Sequence, residues 1–75
     1  MATLRFQFGR RLRQIRRKHD LTQEQLAELA GISVDMLSNI ERGVNAPSFE
    51  TMDKLSKVLD VPVMEFFNMI DTTED

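Results

Sequence analysis

Thr22–Gly43, TQEQLAELAGISVDMLSNIERG, is the stretch that decides the fold. Leu26, Ala27, Leu29 and Ala30 supply an apolar stripe, Gly31 breaks it, and Ser33 begins a second stripe through Leu37 and Ile40. Thr22 followed by Gln25 is a capping box, in which each side chain satisfies a backbone N–H at the start of a helix. Glu24 places a negative charge in that helix's first turn, and Gly31 closes it in the left-handed conformation. Ser33 caps the next helix, Asp35 lies in its first turn and Gly43 closes it. Between Gly31 and the following helix there is room only for a tight turn. Two short helices joined this way form a helix-turn-helix unit over about residues 22–42.

Outward from this unit, Phe8, Leu12 and Ile15 line one side of a preceding helix that ends near Lys18–Asp20, with Asp20 in the left-handed position. Ser48, after Pro47, caps a fourth helix with a stripe of Phe49 (or Met52), Leu55, Val58 and Leu59. Asp60–Pro62 forms a short break. Val63, Met64, Phe66, Phe67 and Ile70 then predict a fifth, short helix, apolar almost all round, before a polar, acidic tail. The expectation is an all-α, five-helix bundle, a single domain over residues 1–75 with no strand.

Composition narrows the function. Without cysteine there is neither a disulfide framework nor a thiolate metal site, and His19 alone makes no metal centre or catalytic triad. No enzyme class, metal, cofactor or small-molecule ligand is therefore expected. No apolar run approaches the ~18 residues that cross a bilayer, and the N-terminus lacks a secretory apolar block. A cytoplasmic location is the default. The net charge of −2 argues against a nucleic-acid binder, but its distribution does not. Residues 1–18 carry seven basic side chains and no acid; residues 19–75 carry three basic and twelve acidic, so +7 and −9 sum to −2. Such a basic pole can steer an anion; on charge alone, a solvated helix face is the preferred reading.

At 100° per residue, Leu37 and Ile40 define the buried side of the third helix. Asp35, Ser38, Asn39 and Arg42 gather opposite, with Val34 at the exposed first turn. A DNA major groove could meet this face: Asn pairs bidentately with adenine, Asp accepts from cytosine, and a Val methyl touches the thymine methyl. Each group is equally at home on any polar helix face, and Asp35 also suits the helix dipole, so the arrangement carries the argument. Glu41 sits near the buried side of this helix and Arg16 on the buried stripe of the first. They read either as a partly buried ion pair tying the two helices or as two snorkelling side chains, and the ion pair is the reading adopted. Gln23 and the free N–H groups around it suit a phosphate. Arg42 and the Val44–Asn45 connector lie at the far end, placed for another phosphate. Either the small core absorbs the whole terminal apolar segment, or Phe67 with Met64 or Ile70 is left as an interface between two copies. The second is adopted here.

These residues resemble the phage repressor and Cro type of helix-turn-helix regulator, the XRE family. The matching residues are Leu12–Ile15–Arg16, LTQEQLAELAGIS, LSNIERG, Pro47–Ser48 and LSKVLDVP, along nearly the whole chain. Ala27, Gly31, Leu37 and Ile40 stand where that motif packs its two helices. The resemblance implies a five-helix bundle that binds double-stranded DNA as a homodimer on a pseudo-palindromic operator and controls transcription, as a repressor or autoregulator. It implies base reading by Val34, Asp35, Ser38 and Asn39, phosphate contacts by Gln23, Arg42 and Asn45, and a buried Arg16–Glu41 pair. Such regulators belong to bacteria, archaea and phages and sit on the nucleoid when bound. The compact size and Phe66–Phe67 are similar to the small controller proteins of restriction–modification systems. Val34, Asp35 and Met36 depart from the Gln, Ser and Arg often found at the start of the reading helix, and Asp20 from the usual glycine. Two alternatives stand beside this reading: the DNA-binding module of a longer ligand-sensing regulator, and an antitoxin-like protein-interaction module.

Overall fold

The computed structural model describes residues 3–68. Its elements are α1 (Leu4–Lys18), α2 (Gln23–Ala30), α3 (Val34–Glu41), α4 (Phe49–Leu59) and a 3-10 turn (Val63–Phe67), with no strand among the described residues. The fifth element thus differs from the expected short α-helix. Pro62 opens it without a side-chain cap. It is held by Glu65 N–H to the Pro62 carbonyl at 2.9 Å and Asn68 N–H to Glu65 at 3.3 Å, the three-residue spacing of a tighter turn. Ile70 lies outside the described residues.

Local chemistry sets the helix boundaries. Thr3, Thr22, Ser33 and Ser48 each cap a helix, accepting from the backbone N–H three residues on. Thr22 and Gln25 complete the reciprocal box, with the Thr22 N–H donating to Gln25 Oε1 at 2.9 Å. Gly31 ends α2 at φ 72°. Two aspartates do the same work elsewhere: Asp20 follows α1 at φ 57° and Asp60 ends α4 at φ 54°. The side chain of Asp or Asn tolerates this region better than most.

Phe8, Leu12, Ile15, Leu26, Leu37, Ile40, Met52, Leu55, Leu59 and Phe66 fill the core. The Phe8 ring meets Phe66 at 5.2 Å and Phe67 at 5.3 Å between centroids, both tilted. On α4 it is Met52 that faces inward, whereas Phe49 is 83% exposed. Leu29 departs from the expected stripe: it is 61% exposed, and Leu26, Ala27 and Ala30 alone carry the buried side of α2.

α1 and α3 approach so closely that no side chain separates them at Gly9. A Cβ built there would lie 2.3 Å from the Ile40 carbonyl oxygen and 2.6 Å from that of Glu41. Arg11 of α1 reaches the terminal turn, its Nε donating to the Glu65 carbonyl at 3.0 Å and its Nη2 to Glu65 Oε1 at 2.9 Å. The helix bearing most of the positive charge is thereby fastened to the rest of the bundle at both of these places.

Candidate nucleic-acid interface

α3 presents its outer face between two grooves. Val34, Asp35 and Met36 are exposed in its first turn, Ser38 and Asn39 are half-buried, and Arg42 at its C-terminus is exposed. On one side an open cleft of about 460 Å³ runs between α1 and α3. Arg10, Arg13 and Arg17 border it with Gln23, Ser38 and Arg42. On the other side a groove of about 380 Å³ is bordered by Arg5, Met36, Asn45 and Ser48. The two grooves share no residue. The expected phosphate residues are thus divided, Gln23 and Arg42 on the first groove and Asn45 on the second.

Under the first groove lies a charged network. Arg16 donates from Nε to Glu41 Oε2 at 2.7 Å and from Nη2 to Oε1 at 3.0 Å. This is the paired, bidentate geometry that suits guanidinium and carboxylate. The side chains are only 10% and 2% exposed. Arg16 Nη1 also donates to the Leu21 carbonyl at 2.8 Å, holding the loop between α1 and α2. Gln23 Nε2 donates to Glu41 Oε1 at 3.0 Å. A carboxylate only accepts, so the amide nitrogen of Gln23 must face Glu41. Sequence reasoning placed Gln23 at the protein surface alone; the structure makes it also the third donor to Glu41. Three donors from α1 and α2 therefore meet one carboxylate on α3, and no buried side-chain polar atom among the described residues lacks a partner.

Asn39 is tied to the end of its own helix. Its backbone carbonyl accepts from the N–H of Val44 at 2.9 Å and of Asn45 at 3.3 Å. Its side-chain Oδ1 accepts from Arg42 Nη2 at 2.7 Å. Arg10, Arg13 and Arg17, which the sequence does not single out as site residues, are placed by the fold beside Ser38 and Gln23. The helical spacing of α1 puts Arg10, Arg13 and Arg17 on one face, but which element that face meets depends on the packing of α1 against α3. Arg10 also lies over the Phe6 ring, 5.7 Å from its centroid.

At the terminal turn, Met64 is 80% and Phe67 39% exposed, while Phe66 is fully buried. No cluster of side chains suited to a metal ion occurs among the described residues. No helix there is long and apolar enough to cross a membrane.

Comparison with known proteins agrees with this architecture. The HTH-type transcriptional regulator SinR of Bacillus licheniformis is 40% identical over 67 residues, 88% of this chain and 60% of SinR. The cryptic phage CTXphi transcriptional repressor RstR of Vibrio cholerae is 32% identical over 68 residues, 91% of this chain and 61% of RstR. Against PuuR of Escherichia coli, 38% identical, the chain spans 32% of that protein. The chain thus covers less than two thirds of the length of each of these relatives. The crystal structure of the restriction–modification controller protein C.AhdI from Aeromonas hydrophila superposes with a TM-score of 0.82 at 36% identity, covering 84% of this chain and 96% of C.AhdI. Residues 12–66, which include all of α2, α3 and α4, match the helix-turn-helix family HTH_3, and the chain belongs to that family.

Proposed function

We propose that the protein is a sequence-specific DNA-binding regulator of transcription, acting without catalysis and in the cytoplasm. The observation that carries this reading is the polar outer face of α3, set beside the arginine-lined cleft and held there by the Arg16–Glu41–Gln23 network. The names of SinR and RstR, a regulator and a repressor, support it. In this reading α3 enters the major groove, and Val34, Asp35, Ser38 and Asn39 meet base edges. A phosphate on one side meets the N-terminus of α2, where Gln23 still has a second amide hydrogen to donate, together with the α1 arginines. Arg42 faces the same cleft, and Asn45 meets the opposite phosphate ridge. Arginines supply the attraction that does not depend on sequence, so the negative total charge is no obstacle when the charge is separated along the chain.

We infer further that two copies join through the terminal turn, with Met64 and Phe67 in the contact and a pseudo-palindromic operator as the target. Two exposed apolar side chains three residues apart on the terminal turn support this. Repression or autoregulation is the regulatory outcome proposed.

Selection of bound fragments from a random DNA pool tests the reading. Enrichment of an inverted repeat, with half-sites spaced by about one helical turn of 10–10.5 base pairs, is the expected result. Affinity for the enriched site should fall steeply as salt rises. A pool that yields no enriched sequence, or binding indifferent to salt, would count against it.

A further inference from the structure

We propose that Arg42 is a specificity-determining positioning residue: it holds the Asn39 amide so that this side chain offers hydrogen-bond donors, and so selects guanine instead of adenine at its base. The inference rests on the reading of α3 as the DNA-reading helix. It begins from one contact, Arg42 Nη2 to Asn39 Oδ1 at 2.7 Å. A guanidinium has no acceptor, so whichever way the amide could be drawn, its oxygen must be the atom that faces Arg42. The NH2 group is then turned away from the arginine, and it has no acceptor among the described residues.

Both partners stand on restrained backbone. Arg42 N–H donates to the Ser38 carbonyl at 3.0 Å, and Arg42 keeps helical torsions as the C-cap of α3. The Asn39 carbonyl is claimed by two N–H groups of the connector. Two residues three apart on one helix meet without reorganisation. The pair forms within the protein itself, and it biases the polarity with which the amide faces outward.

That polarity changes the base chemistry. Pairing Asn with adenine requires Nδ2 to donate to N7 and Oδ1 to accept from the N6 amino group. Here one of the two lone pairs of Oδ1 already accepts from a cationic donor, so the adenine amino group has to share that oxygen with Arg42 and is the weaker partner there. Guanine shows two acceptors, N7 and O6, on its major-groove edge, and an outward NH2 can serve both. Losing Arg42 frees the amide to rotate, and adenine becomes its natural partner again.

The test is selection from a random DNA pool with the parent, Arg42→Met, Asn39→Ala and the double variant, each checked for an unchanged melting curve. The parent should prefer guanine at one position of each half-site, on the order of 10-fold over adenine. Arg42→Met should shift that position, and no other, toward adenine. Asn39→Ala should erase the preference there, and adding Arg42→Met to it should bring no further change in base choice. If Arg42→Met instead weakens all sequences alike, Arg42 is a phosphate contact only and the proposal is overturned. It is equally overturned if Asn39→Ala keeps the guanine preference, since Arg42 would then read that base itself. A parent that enriches no sequence would remove the DNA-reading function, and this inference with it.

Discussion

Replacing Glu41 by alanine should be among the most damaging single changes in the protein, and the structure allows its size to be worked out. Glu41 accepts three hydrogen bonds, two from Arg16 and one from Gln23. Its removal leaves the Arg16 guanidinium about one tenth exposed, with the Leu21 carbonyl as its remaining named acceptor. Breaking a buried pair by deleting one partner costs about 3–5 kcal/mol, because the other charge stays buried without compensation. A domain of this length has on the order of 4–11 kcal/mol in total, so the loss is a large share of it. At about 4–8 °C per kcal/mol for small domains, the melting temperature should fall by on the order of 12–40 °C. Thermal unfolding followed by circular dichroism reads this directly. Joint replacement, Arg16→Met with Glu41→Leu, removes both charges and should recover most of the loss, since apolar pairs of similar volume often equal a buried ion pair. If Glu41→Ala melts within a few degrees of the parent, the pair does not hold α1 to α3. If the joint variant is no better than Glu41→Ala, the cost does not arise from the stranded charge.

Three further outcomes follow from the packing. Gly9→Ala should lower stability by about 1–3 kcal/mol in urea titration, despite the ~1 kcal/mol by which Ala is the better helix former; its Cβ would meet backbone carbonyls that no rotamer change can move. Phe66→Ala should cost about 3–5 kcal/mol from a fully buried site, whereas Phe67→Ala should cost clearly less and show itself instead as a weaker dimer in sedimentation. Arg11→Ala should speed amide hydrogen exchange in the terminal turn while leaving α2 and α3 protected, because Glu65 then loses both of its contacts with α1; equal acceleration throughout would mean that the turn opens only with the whole domain.

What could be read from sequence was local. Thr22 with Gln25, Ser33, Ser48 and the Gly31 break act within four residues of themselves, so α2, α3 and α4 could be placed before any contact was known. Arg16 and Glu41 were legible for another reason: a charge on an apolar stripe needs a partner on a facing stripe. Contacts that join distant segments were not legible. Arg11 and Glu65 are 54 residues apart, and neither side chain is misplaced on its own helix face. A glycine inside a helix is ordinarily a weak point; at Gly9 only the approach of α3 turns it into a requirement. The terminal segment has the composition of a buried helix, yet Val63–Phe67 form a short 3-10 helix that still buries Phe66. Leu29 satisfied the apolar spacing of α2 but lies at the edge of its buried face, where packing and not pattern decides exposure. The Arg42–Asn39 contact is an i, i+3 pair and so has a legible spacing, but the sequence offers each residue a separate role against DNA.

The contact at Gly9 also bears on how such a protein can diverge. Interfaces made of side chains can be retuned in steps of one methylene, each step tilting a helix slightly. Where α1 meets α3 main chain to main chain, there is nothing to trim or extend. Leu12, Leu37 or Ile40 can drift in size while the crossing point stays put, pinned at Gly9 by backbone atoms that substitutions at those three positions leave in place. Target preference can then wander through Val34, Asp35 and Asn39 without altering the stance of the helix that carries them.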